Sequence, residues 1–385
     1  MKTARPRASS PGALAVLALA FAGVACRQTV IVDPGATSGA GGSEDLDAAG
    51  PPEDGSLEGG GGAGGSSRDG GRFDGGFPSG FCSGQIQPLL ATMRVPDLLL
   101  TVDRSSAMQS SFSDGLTRLA AVQQAVRALV QKYQHVVHFG YEEFPASSST
   151  CGGGNVSVPM CCAGDVTAPM ANAYGSIDRA LHRCDNNGAG CQQAQRPLAG
   201  ALAKCEATFS STQNANGNRY LVAFVGGEPT CESDAVSMPC PDSIAEITKL
   251  ARSSVSASVF GVGGETAGSA CLDALAQAGG GAIPQASPYY HLTHNTTELG
   301  GALDPLVRTM AQESCHVDIR TPPADPNKVA VFFDATLVDI DSANGWTFDA
   351  GSTVSLTFHG TACDTLIKNA PRVDVVSGCT SPRHQ

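Results

Sequence analysis

The sequence predicts an α/β protein built on a doubly wound, mostly parallel sheet, with a small C-terminal β-rich appendage and a disordered N-terminal linker. Three observations carry this. The run LLLTVDRSSAM over 98–108 is continuously apolar before it delivers Asp103, Ser105 and Ser106 onto a loop. A short apolar run free of Gly and Pro reads as a central parallel strand. After it, Leu119, Val122, Val126, Leu129, Val130 and Tyr133 recur at helical spacing, a single apolar stripe that would lie over a sheet. From there to about 310 strand-like and helix-like segments alternate, the pattern of a parallel sheet covered on both faces.

In order, 136–144 reads as a second strand, followed by a Cys-, Gly- and Pro-rich insertion over 145–170. Helices are expected over 174–183 and 197–209, a core strand over 220–225 and a helix over 243–253. A strand over 255–262, a helix over 271–278, a strand over 289–293 and a helix over 297–310 complete the alternation. From 316 onward the period shortens. The segments 329–333, 346–348, 353–358 and 373–376 read as short strands separated by Gly, Asn, Asp and Pro.

The first residues predict export. Lys2, Arg5 and Arg7 form a positive region, 13–22 is an apolar core, and Gly23-Val24-Ala25-Cys26 ends it with small residues before a cysteine. The apolar run is shorter than the ~20 residues needed to cross a bilayer, and no later run is long enough. Residues 33–80 are dominated by Gly, Ser, Asp and Glu, a composition unable to bury a core. About 45 residues of flexible coil give a reach of roughly 35–40 Å. Such a segment serves as a stalk.

Composition fits an exported surface protein. Of 385 residues 14 are Cys and 46 are Gly, and 16% are charged, against about a quarter in typical soluble domains. So many cysteines behind an export signal point to disulfides rather than thiols or zinc. The net charge of −12 opposes phosphate-directed binding, so no nucleic-acid partner is expected.

The wording VDRSSAM, GYEEFP and FVGGEPTC, set in the alternation over 94–312, resembles the von Willebrand factor A (vWA) domains of bacterial surface lipoproteins. That resemblance implies a metal-ion-dependent adhesion site in which D-x-S-x-S, a Thr from a second loop and an Asp from a third hold Mg²⁺ or Mn²⁺. Asp103 and Ser105 match the pattern. The second Ser of the motif is Ala107, the Thr expected before Pro197 is Arg196, and the Asp expected in FVGGEPTC is Gly226. A hard cation wants near-octahedral oxygen ligands, so the sequence predicts no tightly bound cofactor and at most weak Mg²⁺ or Mn²⁺ binding at Asp103 and Ser105. Ser106, Arg196 and Glu228 are the candidate binding-loop residues. Read without the resemblance, Asp103 and Ser105 are either ligand-binding groups at a strand's carboxyl end or N-caps of the following helix.

GVAC likewise resembles a lipobox, which implies that Cys26 becomes a diacylated N-terminus; the alternative is cleavage after Ala25 and a soluble secreted product. Arg27 after the cysteine favours the outer membrane by the same resemblance. The expected organisation is a signal peptide over 1–25, a lipidated linker over 26–80, a vWA domain over 81–315 and a small β-rich domain over 316–385. With Cys26 lipidated thirteen cysteines remain, an odd number. The resemblance implies that the domain's two ends lie close, hence a Cys82–Cys315 staple. Cys363 with Cys379, Cys231 with Cys240, and Cys184 with Cys191 are near in sequence, and Cys151 is expected to pair with Cys161 or Cys162. Cys205 and Cys271 each have two readings, a buried free thiol or a partner of the vicinal pair.

No enzyme is expected. The sequence contains no G-x-S-x-G, H-E-x-x-H or G-x-x-x-x-G-K motif. His135 and His138, read as lying three apart on a strand, would face opposite ways; His291 and His294 share that fault, and Glu142 and Glu143 are adjacent. The expected function is a membrane-tethered protein-binding or adhesion module whose partner is a protein or cell-surface ligand. The alternatives are an envelope-assembly scaffold and, more distantly, a metal-dependent adhesin with a non-standard site.

Overall fold

From the amino end of the described chain, β1 (Cys82–Leu89) and β2 (Ala91–Met93) lead into β3 (Asp97–Asp103). The computed structural model describes residues 82–146, 163–171, 174–182, 194–212, 217–232 and 240–379, all within the unit Gly71–Gln385. The signal segment, the linker, Cys26, Cys151, Cys161, Cys162, Cys184 and Cys191 lie outside the described residues.

Every residue of β3 is buried, as its apolar run requires. It pairs in parallel with β4 (His138–Phe144) on one side and β6 (Arg219–Val225) on the other. β7 (Val255–Val262) and β8 (His291–Thr293) extend the parallel sheet beyond β6. β5 (Asp165–Ala171), which emerges from the end of the predicted insertion, closes the other edge antiparallel to β4. The order β5-β4-β3-β6-β7-β8 is 3-2-1-4-5-6 in the sheet's own count, so the chain reverses its winding between β3 and β6.

Alternation along β3 divides the core in two. Leu98, Leu100 and Val102 pack with α1 (Arg118–Tyr133), α2 (Tyr174–Leu181) and α6 (Thr296–Ala311). Leu99 packs on the opposite face with α3 (Leu198–Ser211), α4 (Pro241–Arg252) and α5 (Ala270–Ala278). A period of two along a strand buried on both faces produces this split. The stripe predicted for α1 is wholly buried.

The C-terminal region holds two antiparallel sheets. One has the order β1-β14-β10-β11, the other β12-β13-β9-β2. Their strands are β9 (His316–Ile319), β10 (Val329–Phe333), β11 (Thr336–Val338), β12 (Trp346–Phe348), β13 (Ser355–Phe358) and β14 (Val373–Cys379). The segment 82–93, assigned from sequence to the start of the α/β region, thus supplies a strand to each. α7 (Gly360–Asn369), absent from the sequence reading, buries Ala362, Cys363, Leu366 and Ile367. These side chains join Val317, Trp346 and Phe358 in the cluster beneath α1 and α6.

The cysteine pairing differs from expectation. Cys315 bonds to Cys363 and not Cys82, because α7 packs where α6 ends and brings the two Cα atoms to 5.4 Å. Cys240 bonds to Cys271 across the starts of α4 and α5, with Cα atoms 5.6 Å apart. The short pairs Cys363–Cys379 and Cys231–Cys240 are therefore not formed, although Cys231 and Cys379 are themselves disulfide-bonded. Nearness in sequence does not place two Cβ atoms within bonding distance; packing of distant elements does. Cys205 is the buried, unbridged thiol among the described residues.

Candidate functional site

In an open α/β sheet ligands sit outside the carboxyl ends of the strands where the winding reverses, here at the tips of β3 and β6. Asp103, the last residue of β3, is fully buried. Its Oδ1 accepts from the Ser105 amide at 2.8 Å and its Oδ2 from the Gly226 amide at 2.9 Å, just past β6. The carboxylate therefore ties the two switch-point strands together.

Burial pushes the Asp103 carboxyl above its ordinary value, opposed by the Ser105 and Gly226 amides, the Ser105 hydroxyl and the charge of Arg196. The Ser105 hydroxyl, although it acts on Asp103, satisfies no ordinary hydrogen-bond geometry and is a buried oxygen without a partner.

The capping alternative for Asp103 and Ser105 is corrected. α1 starts only at Arg118, and its N-cap is Thr117, whose Oγ1 accepts from the Ala120 amide at 3.1 Å. Ser105 instead precedes a short 3-10 turn over Ser106–Gln109 and gives it no side-chain cap. Ser106 is exposed on that turn.

Gly226 stands beside Asp103, and the charge of Arg196 acts on it. Arg196 precedes α3 and is half-buried; its amide donates to Thr230 Oγ1 at 2.8 Å and its Nε to the Glu228 carbonyl at 2.6 Å. The guanidinium lies over Gly227, where a Cβ would come within 3.2 Å of Cζ. Glu228 turns its carboxylate away, accepting from Ser269 Oγ at 2.8 Å, and Ser269 in turn caps α5. A Cβ on Gly226 would lie 2.6 Å from Met108 Sδ and 3.3 Å from Asp103 Oδ2, so buried Met108 fills the place a side chain at 226 would need. Replacing Gly226 by Ala is expected to cost about 1–2 kcal/mol through overpacking. An unchanged denaturation midpoint would contradict the placement of Met108.

Two arginines at this rim escaped the sequence reading. Arg104 is buried, with Nε donating to the Pro145 carbonyl at 2.7 Å and Nη1 3.3 Å from Glu143 Oε2, which locks the β3 and β4 tips together. Arg118 reaches the Ala107 carbonyl at 3.2 Å and pairs with Glu265, across Gly263 at φ +104°. A cation in the first turn of a helix opposes the helix dipole, which is the sequence signal that Arg118 is held by something outside α1.

The histidines are apart for a reason other than strand alternation. His135 sits in the turn after α1, its Nε2 2.6 Å from the Ile367 carbonyl, while His138 on β4 meets Asp97 at 3.2 Å. His291 stacks on Phe260 and His294 pairs with Glu298. Glu142 and Glu143 do face opposite ways, toward Cys205 and toward Arg104.

The donor set does not fit a hard divalent ion. Among the described residues Asp103 is the one carboxylate at the β3 tip and both its oxygens are engaged by amides, Glu228 is directed to Ser269, and the charge of Arg196 acts on the site. Such an ion needs about six oxygen donors, and a fixed positive charge repels it. No group of three or more His, Cys, Asp or Glu suited to a metal occurs among the described residues.

No family model matches the chain, and no curated protein matches it. Among solved structures, the SpRpn10 VWA domain is 14% identical with a TM-score of 0.37, over 54% of this chain and 93% of that one. Proximal thread matrix protein 1 from the mussel byssus, with a zinc occupied MIDAS motif, is 17% identical at a TM-score of 0.36, over 59% of this chain and 50% of that one. The pilus adhesin SpaC from Lactobacillus rhamnosus GG is 13% identical at 0.41, over 74% of this chain and 39% of that one. The six-stranded unit is a doubly wound sheet with one antiparallel edge. No helix among the described residues is long and apolar enough to cross a membrane.

Proposed function

We propose that this chain is an exported, membrane-tethered protein-binding or adhesion module, not an enzyme, and that its recognition surface is the rim at the β3 and β6 tips, working without a divalent ion. The observation that carries the reading is the Arg196 guanidinium beside an Asp103 whose two oxygens are both taken by backbone amides. The export signal, the acylated Cys26, the long linker and an outer-membrane or cell-surface location belong to the same proposal. They would present the rim well away from a lipid surface.

Exposed Ser106 allows the rim to be blocked without disturbing the core. Ser106→Trp is expected to weaken capture of an envelope or surface partner by at least about tenfold, the loss of a central contact. Capture should persist in EDTA, and calorimetric titration with Mg²⁺ or Mn²⁺ should show no heat at micromolar affinity. Micromolar metal binding would overturn the metal-free reading.

The scaffold alternative draws support from Leu90, 67% exposed between β1 and β2. If Leu90→Asp abolished capture while Ser106→Trp left it intact, the contact would belong to the C-terminal sheets.

A further inference from the structure

We propose that Arg196 is the built-in cation of the rim and receives the carboxylate of an Asp or Glu side chain from the partner. This rests on the reading of the rim as a protein-binding surface and names the chemistry it recognises.

The guanidinium is held in place before any ligand arrives. Its face lies against Gly227, its Nε donates to the Glu228 carbonyl, and its backbone is pinned by the Thr230 hydroxyl and amide, at 2.8 and 3.2 Å. The forked edge is left over: Nη1 and Nη2 make no hydrogen bond to any described residue. Asp103 does not consume it, since both carboxylate oxygens accept from amides and no ion pair joins the two side chains. A clamped arginine whose fork is free among the described residues is a receptor for a planar oxyanion.

A guanidinium matches a carboxylate through two parallel N–H···O bonds, and holding it rigid reduces the entropy lost on binding. The chain's net charge of −12 selects further. A strongly acidic segment would be repelled by the protein's overall field, so the rim favours a single carboxylate set among neutral or basic residues.

The test follows the Arg Nε–Hε signals of the full-length mature chain by nitrogen-15 NMR, titrating with blocked Gly-Asp-Gly, its Gly-Asn-Gly counterpart and inorganic phosphate. The Arg196 signal should move saturably with the aspartyl peptide, equally with and without EDTA, and stay still with the asparaginyl one. Arg196→Gln should bind the aspartyl peptide at least about tenfold more weakly, the scale of a lost charge-assisted pair. Arg196→Lys, which keeps the charge and loses the fork, should fall between. If the glutamine variant does not fold, the wild-type Arg196 signal alone decides. An Arg196 signal that does not respond, responds equally to both peptides, or responds more strongly to phosphate overturns the proposal. Loss of partner capture in Ser106→Trp alongside a silent aspartyl peptide would sink only the carboxylate assignment, whereas Ser106→Trp without effect sinks the rim itself.

Discussion

Replacing Glu142 by Gln is expected to stabilise the protein at pH 8 by about 3 kcal/mol relative to its effect at pH 4, where the two chains should respond alike. Glu142 lies in the middle of β4, fully buried and in register with Thr101 of β3. Cys205 of α3 donates its thiol to Oε2 at 2.7 Å, while Glu142 Oε1 and Thr101 Oγ1 have no hydrogen-bond partner. Gly164 packs directly against Oε1, leaving no side chain there to bond to it.

Burial raises this carboxyl from 4.5 to about 7, against the lowering effects of Cys205, Thr101 and Lys204. The folded state thus holds the proton more tightly than the unfolded chain. Its contribution to stability is complete below about pH 4.5 and is lost as the pH rises to and through about 7. A carboxyl moved from 4.5 to about 7 corresponds to about 3 kcal/mol. Gln keeps an acceptor for the Cys205 thiol and has no charge to desolvate. Denaturant unfolding of both proteins at pH 4, 6 and 8 measures the difference. If wild type and Glu142→Gln show the same pH dependence, Glu142 is not the residue responsible.

Removing the Cys315–Cys363 bond by replacing both residues with Ser should cost about 4 kcal/mol, given their sequence separation of 48. The bond joins the end of α6 to α7 and so ties the C-terminal sheets to the α/β core. Both cysteines belong to the main apolar cluster, so the loss adds to packing already present and should leave the fold recognisable. Guanidinium unfolding of the double variant under oxidising conditions checks this. A change below about 1 kcal/mol would mean that packing alone holds α7 in the unfolded ensemble as well, contrary to the chain-entropy argument.

Where the sequence was legible, the signal was local. The apolar run of β3, the stripe of α1 and the strand–helix alternation to α6 follow from periods of two and 3.6 that any buried strand or one-sided helix must show. Asp103 was legible because its place at a strand's carboxyl end is a matter of order along the chain. Its partners were not. The Gly226 amide lies 123 residues away, and the helix of the capping alternative begins fifteen residues later, at Arg118. α7 was hidden by its ten-residue length among short strands, although Ala362, Cys363, Leu366 and Ile367 carry helical spacing.

By itself the sequence determined the α/β class, the order of its elements, the tip on which Asp103 and Ser105 stand, and the poverty of oxygen donors in the loops around them. Only the tertiary structure decided that β1 and β2 complete the C-terminal sheets, that Cys315 meets Cys363 and Cys240 meets Cys271, and that Arg196 lies over Gly227 with its Nε on the Glu228 carbonyl. Periodicity is set by neighbours a few residues apart. Pairings of strands, sulfurs and charges are set by which distant surfaces bury each other, and the sequence order of those surfaces does not encode that choice.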